Sequence, residues 1–268
     1  MSTSNGAPRL ARIQLHPIKA LDPALVTEAR IGPAGGLELD RAWALYSADG
    51  RWVNGKRTAA MHLIRAAYSP DVSSVTLTVP GDRRNIPPMT FAFPGDTESA
   101  ALWFSMYFEQ AITVRYAREG FPDDGLAPGP TIVSTASLEA VCQWFPGMPL
   151  DEARRRFRAT LEIDGVPAFW EDRLFAEAES SVVRFRIGDA AFEGSNPCAR
   201  CPVPSRDSHT GEVIDGFQKR FSELRRSQLP EWSPTDRFDH YYRLSTNTRV
   251  PGSESGKLIR LGDPLQLS

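Results

Sequence analysis

The sequence predicts an α+β protein that is predominantly β, and three observations support this class. Short apolar or alternating runs recur along the chain, Gly and Pro residues separate them, and few segments have helical periodicity. The chain has 268 residues, of which 41% are hydrophobic and 24% charged, so it can form one large domain or two small ones. Its net charge of -2 argues against binding to nucleic acid as a polymer, and the absence of a long apolar run argues against a membrane span.

The first half of the chain is predicted to form short strands and one helix. Residues 1–9 are small and polar and lack a signal-peptide pattern, so we expect a flexible tail and a cytoplasmic protein. Asp96 and Thr97 can cap a helix that runs to about Phe108. The predicted strands are 10–15, 42–46, 51–53, 74–79 and 89–93, with the turn 47–50 joining the second and third as a hairpin.

The second half is predicted to mix strands with two apolar helix faces. Ser134 or Thr135 can cap a helix, and three basic residues at 154–156 indicate a solvated helix face. Gly, Pro and Asp are frequent at 120–130, which places a domain boundary there and predicts domains at 10–119 and 120–268. The helix faces are Leu138, Val141, Cys142 and Phe145, then Phe217, Phe221 and Leu224; the strands are 160–163, 182–187, 258–261 and 265–267.

The segment 194–212, which contains Cys198 and Cys201, is predicted to be a loop and carries the reactive groups. Arg200 and Arg206 flank Cys201, and nearby cations favour the thiolate form of a cysteine. Three cysteines in total argue against a disulfide framework and for a reducing compartment. The residues alone leave open a structural zinc site with His209, a redox pair and a plain buried pair, although zinc needs four ligands and prolines 202 and 204 fit a redox helix poorly.

This segment resembles the MOSC domain, the C-terminal domain of molybdenum cofactor sulfurases, and particularly the branch that contains the mitochondrial amidoxime-reducing component. Cys-Ala-Arg-Cys is followed, as in that family, by Asp207, Thr210 and Gly211. Further similar stretches lie in the family's order along nearly all of residues 10–268. They are His-Pro-Ile-Lys at 16–19, Gly-Leu-Glu-Leu-Asp-Arg-Ala-Trp at 36–43, Val-Asn-Gly-Lys-Arg at 53–57, Ser-Thr-Ala-Ser-Leu at 134–138, Arg-Phe-Arg at 156–158 and Ile-Arg-Leu-Gly-Asp-Pro at 259–264.

The resemblance implies a fold and a cofactor. A β-rich, barrel-like N-terminal domain would precede a β-barrel MOSC domain with a few helices, and a molybdenum pyranopterin cofactor would bind between them. Cys201 would be the protein ligand to molybdenum, with Cys198 nearby and not coordinating. The other cofactor-binding residues implied are Lys19, Arg41 and Arg158 for the phosphate, with Arg57, Ser137 and Thr160; Ala159 and Thr160 replace the family's Pro-Asn.

The function that the resemblance implies is the reduction of N-hydroxylated compounds such as hydroxylamines, amidoximes and N-hydroxylated bases. The reaction consumes two electrons and two protons and releases water, and Asp207 is the nearest sequence candidate for a proton donor. No cysteine set for an iron–sulfur cluster and no Gly-x-Gly-x-x-Gly segment is present, so a separate flavin reductase, ferredoxin or haem protein would supply electrons. The alternatives are sulfur transfer through a persulfide on Cys201, and a carrier of the molybdenum cofactor without turnover.

Overall fold

The structure of the protein is a computed structural model that describes residues 7–81 and 85–268. Most of the predicted tail, residues 1–6, lies outside the described residues, and the first strand begins at Arg9. None of the described helices is long and apolar enough to cross a membrane. The described residues include 30% strand and 23% helix, with four α-helices, which confirms the predicted α+β class in which β structure predominates.

Strands and helices alternate irregularly along the chain. The strands are β1 (Arg9–Leu15), β2 (Ala24–Val26), β3 (Glu28–Arg30), β4 (Trp43–Ser47), β5 (Arg65–Tyr68), β6 (Ser74–Thr78), β7 (Met89–Ala92), β8 (Ile112–Tyr116), β9 (Ile132–Ser134), β10 (Leu161–Asp164), β11 (Val183–Ile187), β12 (Ala190–Ala199), β13 (Arg243–Arg249), β14 (Leu258–Arg260) and β15 (Leu265–Leu267). The helices are α1 (Thr97–Phe108), α2 (Thr135–Trp144), α3 (Leu150–Phe157) and α4 (Phe217–Ser227). Short 3-10 turns cover Ala59–Leu63, Trp170–Leu174, Val203–Ser205, Thr235–Arg237 and Gly252–Glu254.

Eight strands form the main sheet, in the order β15-β11-β12-β13-β9-β10-β1-β2. All neighbours pair antiparallel except β9 and β10, which are parallel. The two ends of this sheet approach each other, because the Leu265 amide donates to the Pro8 carbonyl (2.8 Å) and the Leu10 amide to the Asp263 carbonyl (2.9 Å). The described sheets nevertheless keep free edges, so the barrels that the resemblance implies are not closed by continuous strand pairing.

Three small sheets complete the described strands: β5-β6-β7, β4-β8 and β3-β14. The predicted hairpin after β4 is present, since the Val53 amide donates to the Leu45 carbonyl (3.0 Å) and Tyr46 bridges to Trp52. Strands β1 and β3 pair with β10 and β14, which come from the second half of the chain. The two halves therefore share sheets, and the division at residue 120 stays a prediction.

The buried apolar residues that the structure describes form three clusters, and the third supports helix α3, which ends next to Arg158. The first fills the main sheet, the second surrounds α1, and the third joins α2, α3 and α4. Ser134 caps α2 as predicted, because its hydroxyl accepts the Ser137 amide (3.1 Å). The predicted apolar face of α4 is present as well, with Phe217 and Phe221 buried in the third cluster.

Two expectations about local structure are wrong. The first part of segment 194–212 is strand β12 rather than loop, since bulges at Gly194/Asn196 and Pro197/Ala199 allow Gly and Pro within the paired strand. Gly194 is required there, because a Cβ atom would lie 1.6 Å from the Leu174 carbonyl oxygen. The basic run 154–156 lies on α3 but is not a solvated face: Arg156 is 5% exposed and paired with buried Glu152.

Candidate functional site

Backbone pairing holds Lys19 and Arg41 next to each other. The segment after β1 runs parallel to the segment before β4, with a bridge between Ile18 and Trp43. The Arg41 amide donates to the His16 carbonyl (2.9 Å), and the Lys19 amide donates to the Trp43 carbonyl (2.8 Å). Both side chains are therefore anchored at ends of paired segments, which limits the freedom that a surface lysine or arginine normally has.

A buried carboxylate, Asp40, orients Arg41. It accepts the His16 amide (2.7 Å) and the Arg41 guanidinium (2.5 Å), and the Thr160 hydroxyl lies 3.4 Å from it. Burial opposes ionisation of Asp40, but Arg41 and His16 outweigh it and lower its pKa to about 2. The fully buried His16 imidazole stays neutral, because burial and the nearby Arg158 and Arg41 charges lower its pKa to about 3.

Arg158 is the cation of this cluster that has no direct ion pair with a described residue, although Asp22, Asp123 and Asp40 attract it from a longer distance. It ends α3 with a left-handed backbone (φ 51°), and its amide donates to the Arg154 carbonyl (2.9 Å). Its guanidinium makes no ion pair or hydrogen bond with any residue that the structure describes. Burial and then the charge of Arg41 lower its pKa to about 10. A half-buried guanidinium without partner is a fixed donor for an anion.

Lys19 lies in an aromatic and acidic surrounding. Its ammonium is 3.0 Å from Asp123 Oδ1, donates to the Phe121 carbonyl (2.9 Å), and lies 4.1 Å from the centre of the Trp52 ring. Burial lowers the pKa of Lys19. The other Asp123 oxygen lies 3.4 Å from Arg41 Nε, so this carboxylate bridges the two cations.

The two cysteines lie at and just beyond the end of β12, and both thiols are free and half-buried. The Cys198 sulfur accepts from the Arg200 guanidinium (3.2 Å). The pKa of Arg41 is raised mainly by Asp40 and Asp123 despite burial, and Cys198 lies close enough to contribute. Cys201 lies beside Tyr242, whose pKa is raised mainly by burial and further by this thiol. The end of β12 therefore brings Cys198 close to Arg41 of the cationic cluster.

The described residues contain no group of three or more His, Cys, Asp or Glu side chains that could hold a metal ion. A zinc site made by Cys198, Cys201 and His209 therefore has no support in the geometry. The His209 ring instead lies 2.9 Å from the Arg155 guanidinium. A metal at this site would need most of its ligands from a bound group rather than from the chain.

The structure brings together Lys19, Arg41, Arg158 and Thr160, but places three predicted site residues elsewhere. Arg57 is exposed, and the hydrogen bonds in this part of the structure involve its amide, not its guanidinium. Ser137 is buried, and its hydroxyl donates to Glu171 (2.9 Å) and accepts the Phe169 amide (2.6 Å).

Asp207 is the third residue outside the cluster. Its Oδ1 accepts the His209 and Thr210 amides (both 2.9 Å), and Oδ2 lies 3.5 Å from Arg156. Burial raises the pKa of Asp207, but these amides and Arg156 outweigh it and leave the pKa below the usual range. Such hydrogen bonds favour a role in ordering the segment after Cys201; that Asp207 supplies a proton stays a prediction.

Sequence reasoning missed two acidic members of the site, Asp40 and Asp123. Asp40 directly precedes Arg41 in the quoted motif, so its position was available as a signal. Asp123 lies in the Gly- and Pro-rich stretch that predicted only a boundary, and its pairing with Lys19 and Arg41 depends on the fold.

The fold and site define an α+β, predominantly β protein that has a cluster of three cations, Lys19, Arg41 and Arg158, and two free thiols around the end of β12. Comparison with family models then gives the family. The model of the MOSC N-terminal beta barrel domain matches residues 7–111, and the model of the MOSC domain matches residues 131–266. The chain belongs to the MOSC-domain family. MOSC domains occur in proteins that bind the molybdenum cofactor and are associated with enzymes related to it.

No curated protein matches the chain. Among solved structures, one described as an hypothetical protein is similar at 16% identity, with a TM-score of 0.28. The match covers 52% of this chain and 50% of that one, so the chain spans about half the length of that protein.

Proposed function

We propose that this protein binds the molybdenum pyranopterin cofactor and reduces N-hydroxylated compounds with electrons from a separate donor protein. The observation that carries the proposal is the half-buried, unpaired guanidinium of Arg158 beside Lys19 and Arg41. An uncompensated buried charge is costly, so it is retained where a ligand supplies the missing counter-charge. Family membership and the nearby thiols indicate which ligand this is.

The residues present fit this cofactor. Lys19, Arg41 and Arg158 would hold the phosphate, because guanidinium groups form paired, charge-assisted hydrogen bonds to its oxygens. The buried Thr160 hydroxyl donates to Asp40 and accepts from Arg41, both at 3.4 Å, so it would help to orient the Arg41 guanidinium toward the phosphate. Cys201 would supply the single protein thiolate to the metal. When bound, the cofactor supplies two-electron redox chemistry that the chain's own side chains do not.

The chain's residues would position and charge the site. Asp40 accepts a hydrogen bond from the Arg41 guanidinium and holds it in place. The backbone amide of His16 donates to Asp40 and holds this carboxylate in turn. Arg200 binds the Cys198 sulfur and the Phe157 carbonyl, so it ties the cysteine segment to the end of α3, next to Arg158. In the proposed reaction an N-hydroxyl group takes two electrons and two protons and gives an amine-type product and water.

The proposal includes a donor protein and a compartment. A flavin reductase, ferredoxin or haem protein would deliver the electrons. Three free thiols fit a reducing compartment, and we place the protein in the cytoplasm on this basis.

The test measures molybdenum and zinc in protein purified from a host that makes the cofactor. We expect nearly one molybdenum per chain in the wild type and in the control Cys142→Ala, whose thiol lies on α2. Cys201→Ala should lose the metal, and Arg158→Gln should retain about tenfold less, because one charge-assisted contact is removed. Loaded protein should then reduce hydroxylamine when a chemical reductant is supplied.

Wild-type protein without molybdenum from such a host would refute cofactor binding, and unchanged molybdenum in Cys201→Ala would refute the assigned ligand. A persulfide mass shift on Cys201 without molybdenum would instead support sulfur transfer. Loaded protein that reduces no N-hydroxylated compound would be a cofactor carrier.

A further inference from the structure

The segment 117–130 crosses the cationic cluster and is fastened on both sides of it. On one side, the Phe121 amide donates to the Arg41 carbonyl (2.8 Å). On the other, the Asn247 side chain donates to Asp124 (3.2 Å), and the Gly129 amide donates to the Thr248 carbonyl (3.0 Å). Asp123 lies between these fastenings, so its carboxylate is presented to the cluster rather than left on a free loop tip.

The Asp123 carboxylate forms ion pairs with two cations of the cluster, in the place where an anionic ligand would bind them. One oxygen is 3.0 Å from Lys19 Nζ and the other 3.4 Å from Arg41 Nε. Charges of Arg41, Lys19 and nearby Lys56 lower its pKa despite partial burial, so it remains ionised at neutral pH. The three cations proposed to hold a phosphate are therefore not equivalent: two carry an internal carboxylate, and Arg158 carries none.

The two carboxylates of the cluster, Asp40 and Asp123, differ in how easily each side chain can move away from the cations. The Asp40 side chain is 8% exposed and is bound by the His16 amide, so it is a permanent part of the site. The Asp123 side chain is 60% exposed, and outside the two ion pairs its carboxylate has no hydrogen-bond donor among the described residues. Rotation of this side chain into water would leave Lys19 without an ion-pair partner among the described residues and would leave Arg41 paired with Asp40 alone.

We propose that Asp123 is an internal competitor that sets the specificity of the anion site. A singly charged anion offers Lys19 and Arg41 no more charge than the tethered carboxylate does, so it does not displace Asp123. A phosphate group carries up to two charges and three acceptor oxygens, and Arg158 gives it a first attachment point. The site therefore selects phosphate-bearing ligands over simple carboxylates. This inference rests on the proposed function only for the identity of the phosphate-bearing ligand.

The experiment titrates cofactor-free full-length protein with inorganic phosphate and, separately, with acetate, by calorimetry at constant ionic strength. Asp123→Asn should bind phosphate about tenfold more tightly than the wild type, because one competing charge is gone. The matched control is Asp124→Asn, which removes the same charge from the neighbouring residue, whose side chain bonds Asn247 and the Leu126 amide rather than the cations. The control should change phosphate affinity by less than about threefold.

A second measurement separates competition from a general effect on folding. Asp123→Ala should melt at a lower temperature than the wild type, because the largely buried Lys19 loses its ion-pair partner and Arg41 keeps only Asp40. Added acetate should restore its melting temperature by taking the vacated place, and should leave the wild type and Asp124→Ala unchanged.

The competitor role of Asp123 would be refuted if Asp123→Asn and the wild type bound phosphate with equal affinity. It would also be refuted if Asp123→Asn and Asp124→Asn gained phosphate affinity equally. Acetate that stabilises all variants alike would refute it as well. Molybdenum content is measured independently. If Asp123→Asn binds phosphate more tightly but the wild type holds no molybdenum, the proposed function is refuted and the competitor role of Asp123 is supported. If the wild type holds molybdenum but the phosphate affinity of Asp123→Asn is unchanged, the competitor role is refuted and cofactor binding is supported.

Discussion

Replacement of Glu171 by Gln tests whether a buried, protonated carboxyl group makes the stability of this protein depend on pH. Glu171 lies in the 3-10 turn Trp170–Leu174 and is 1% exposed. One carboxyl oxygen accepts the Ser137 hydroxyl (2.9 Å), and the other has no hydrogen-bond partner among the described residues. Burial, and then the charge of neighbouring Asp172, raise the pKa of Glu171 from 4.5 to about 7.

The sign and size of the effect follow from this pKa. Because the folded value lies above the ordinary one, the folded chain binds a proton that the unfolded chain releases between pH 4.5 and about 7. The stabilising contribution is complete below pH 4.5 and is lost as the pH rises through 7. At about 1.4 kcal/mol per pKa unit, the wild type should lose about 2–3 kcal/mol from this group between about pH 5 and pH 8.

Urea unfolding of wild type and Glu171→Gln across this pH range measures the effect. The variant cannot ionise at 171, so its stability relative to wild type should rise by about 2–3 kcal/mol from pH 5 to pH 8. Ionisable groups common to both proteins cancel in this difference. The control Glu139→Gln removes a charge from the exposed side of α2 and should give a difference that does not change with pH. A pH-independent difference for Glu171→Gln would refute the reasoning.

Three further substitutions have outcomes that follow directly from the structure. Asp207→Ala should lower the free energy of unfolding in urea by about 1–2 kcal/mol, because two backbone amides lose their acceptor; unchanged stability would contradict the ordering role. Gly194→Ala should cost about 3 kcal/mol or more by the same assay, since the new methyl group meets the Leu174 carbonyl. Arg225→Met should lower the thermal midpoint strongly, at a cost of about 3 kcal/mol, because it leaves the buried Asp172 without its ion pair.

The parts of the fold that could be predicted from sequence are those with local apolar patterns. Strand β6 alternates cleanly, and helix α2 has both a capping serine and an apolar face, so each was predicted close to its bounds. Strand β13 was missed because its buried residues are polar: residues 245–248 are Ser, Thr, Asn and Thr. Their burial is possible since long-range carbonyls accept the hydroxyls, as Glu171 does from Thr246 (2.6 Å) and Pro130 from Thr248 (2.7 Å). No local pattern encodes such partners.

The candidate site divides in the same way. Lys19, Arg41 and Arg158 were found because they lie in motifs of the family, and the fold brings them together from three distant parts of the chain. Asp123 could not be found, because the charge of a loop carboxylate carries no information about which cations it meets. Ser137 illustrates the opposite, because its motif is local but its hydroxyl is already bonded by Ser134 in the cap of α2 and by Glu171 and the Phe169 amide.

The backbone at Arg41 and Arg158 gives an independent reason to regard this cluster as functional. Both residues adopt left-handed conformations, with φ of 54° and 51°, which cost a non-glycine residue about 1 kcal/mol or more. At the end of α3, stability alone would favour glycine, since the helix cap uses only the backbone amide. Arginine at 158 adds a desolvated charge without a counter-ion to this strain. These are two unfavourable terms at one residue, and the guanidinium has no ion pair or hydrogen bond with any residue that the structure describes, only longer-range attraction from Asp22, Asp123 and Asp40. This combination supports the proposal that an anionic ligand supplies the missing counter-charge.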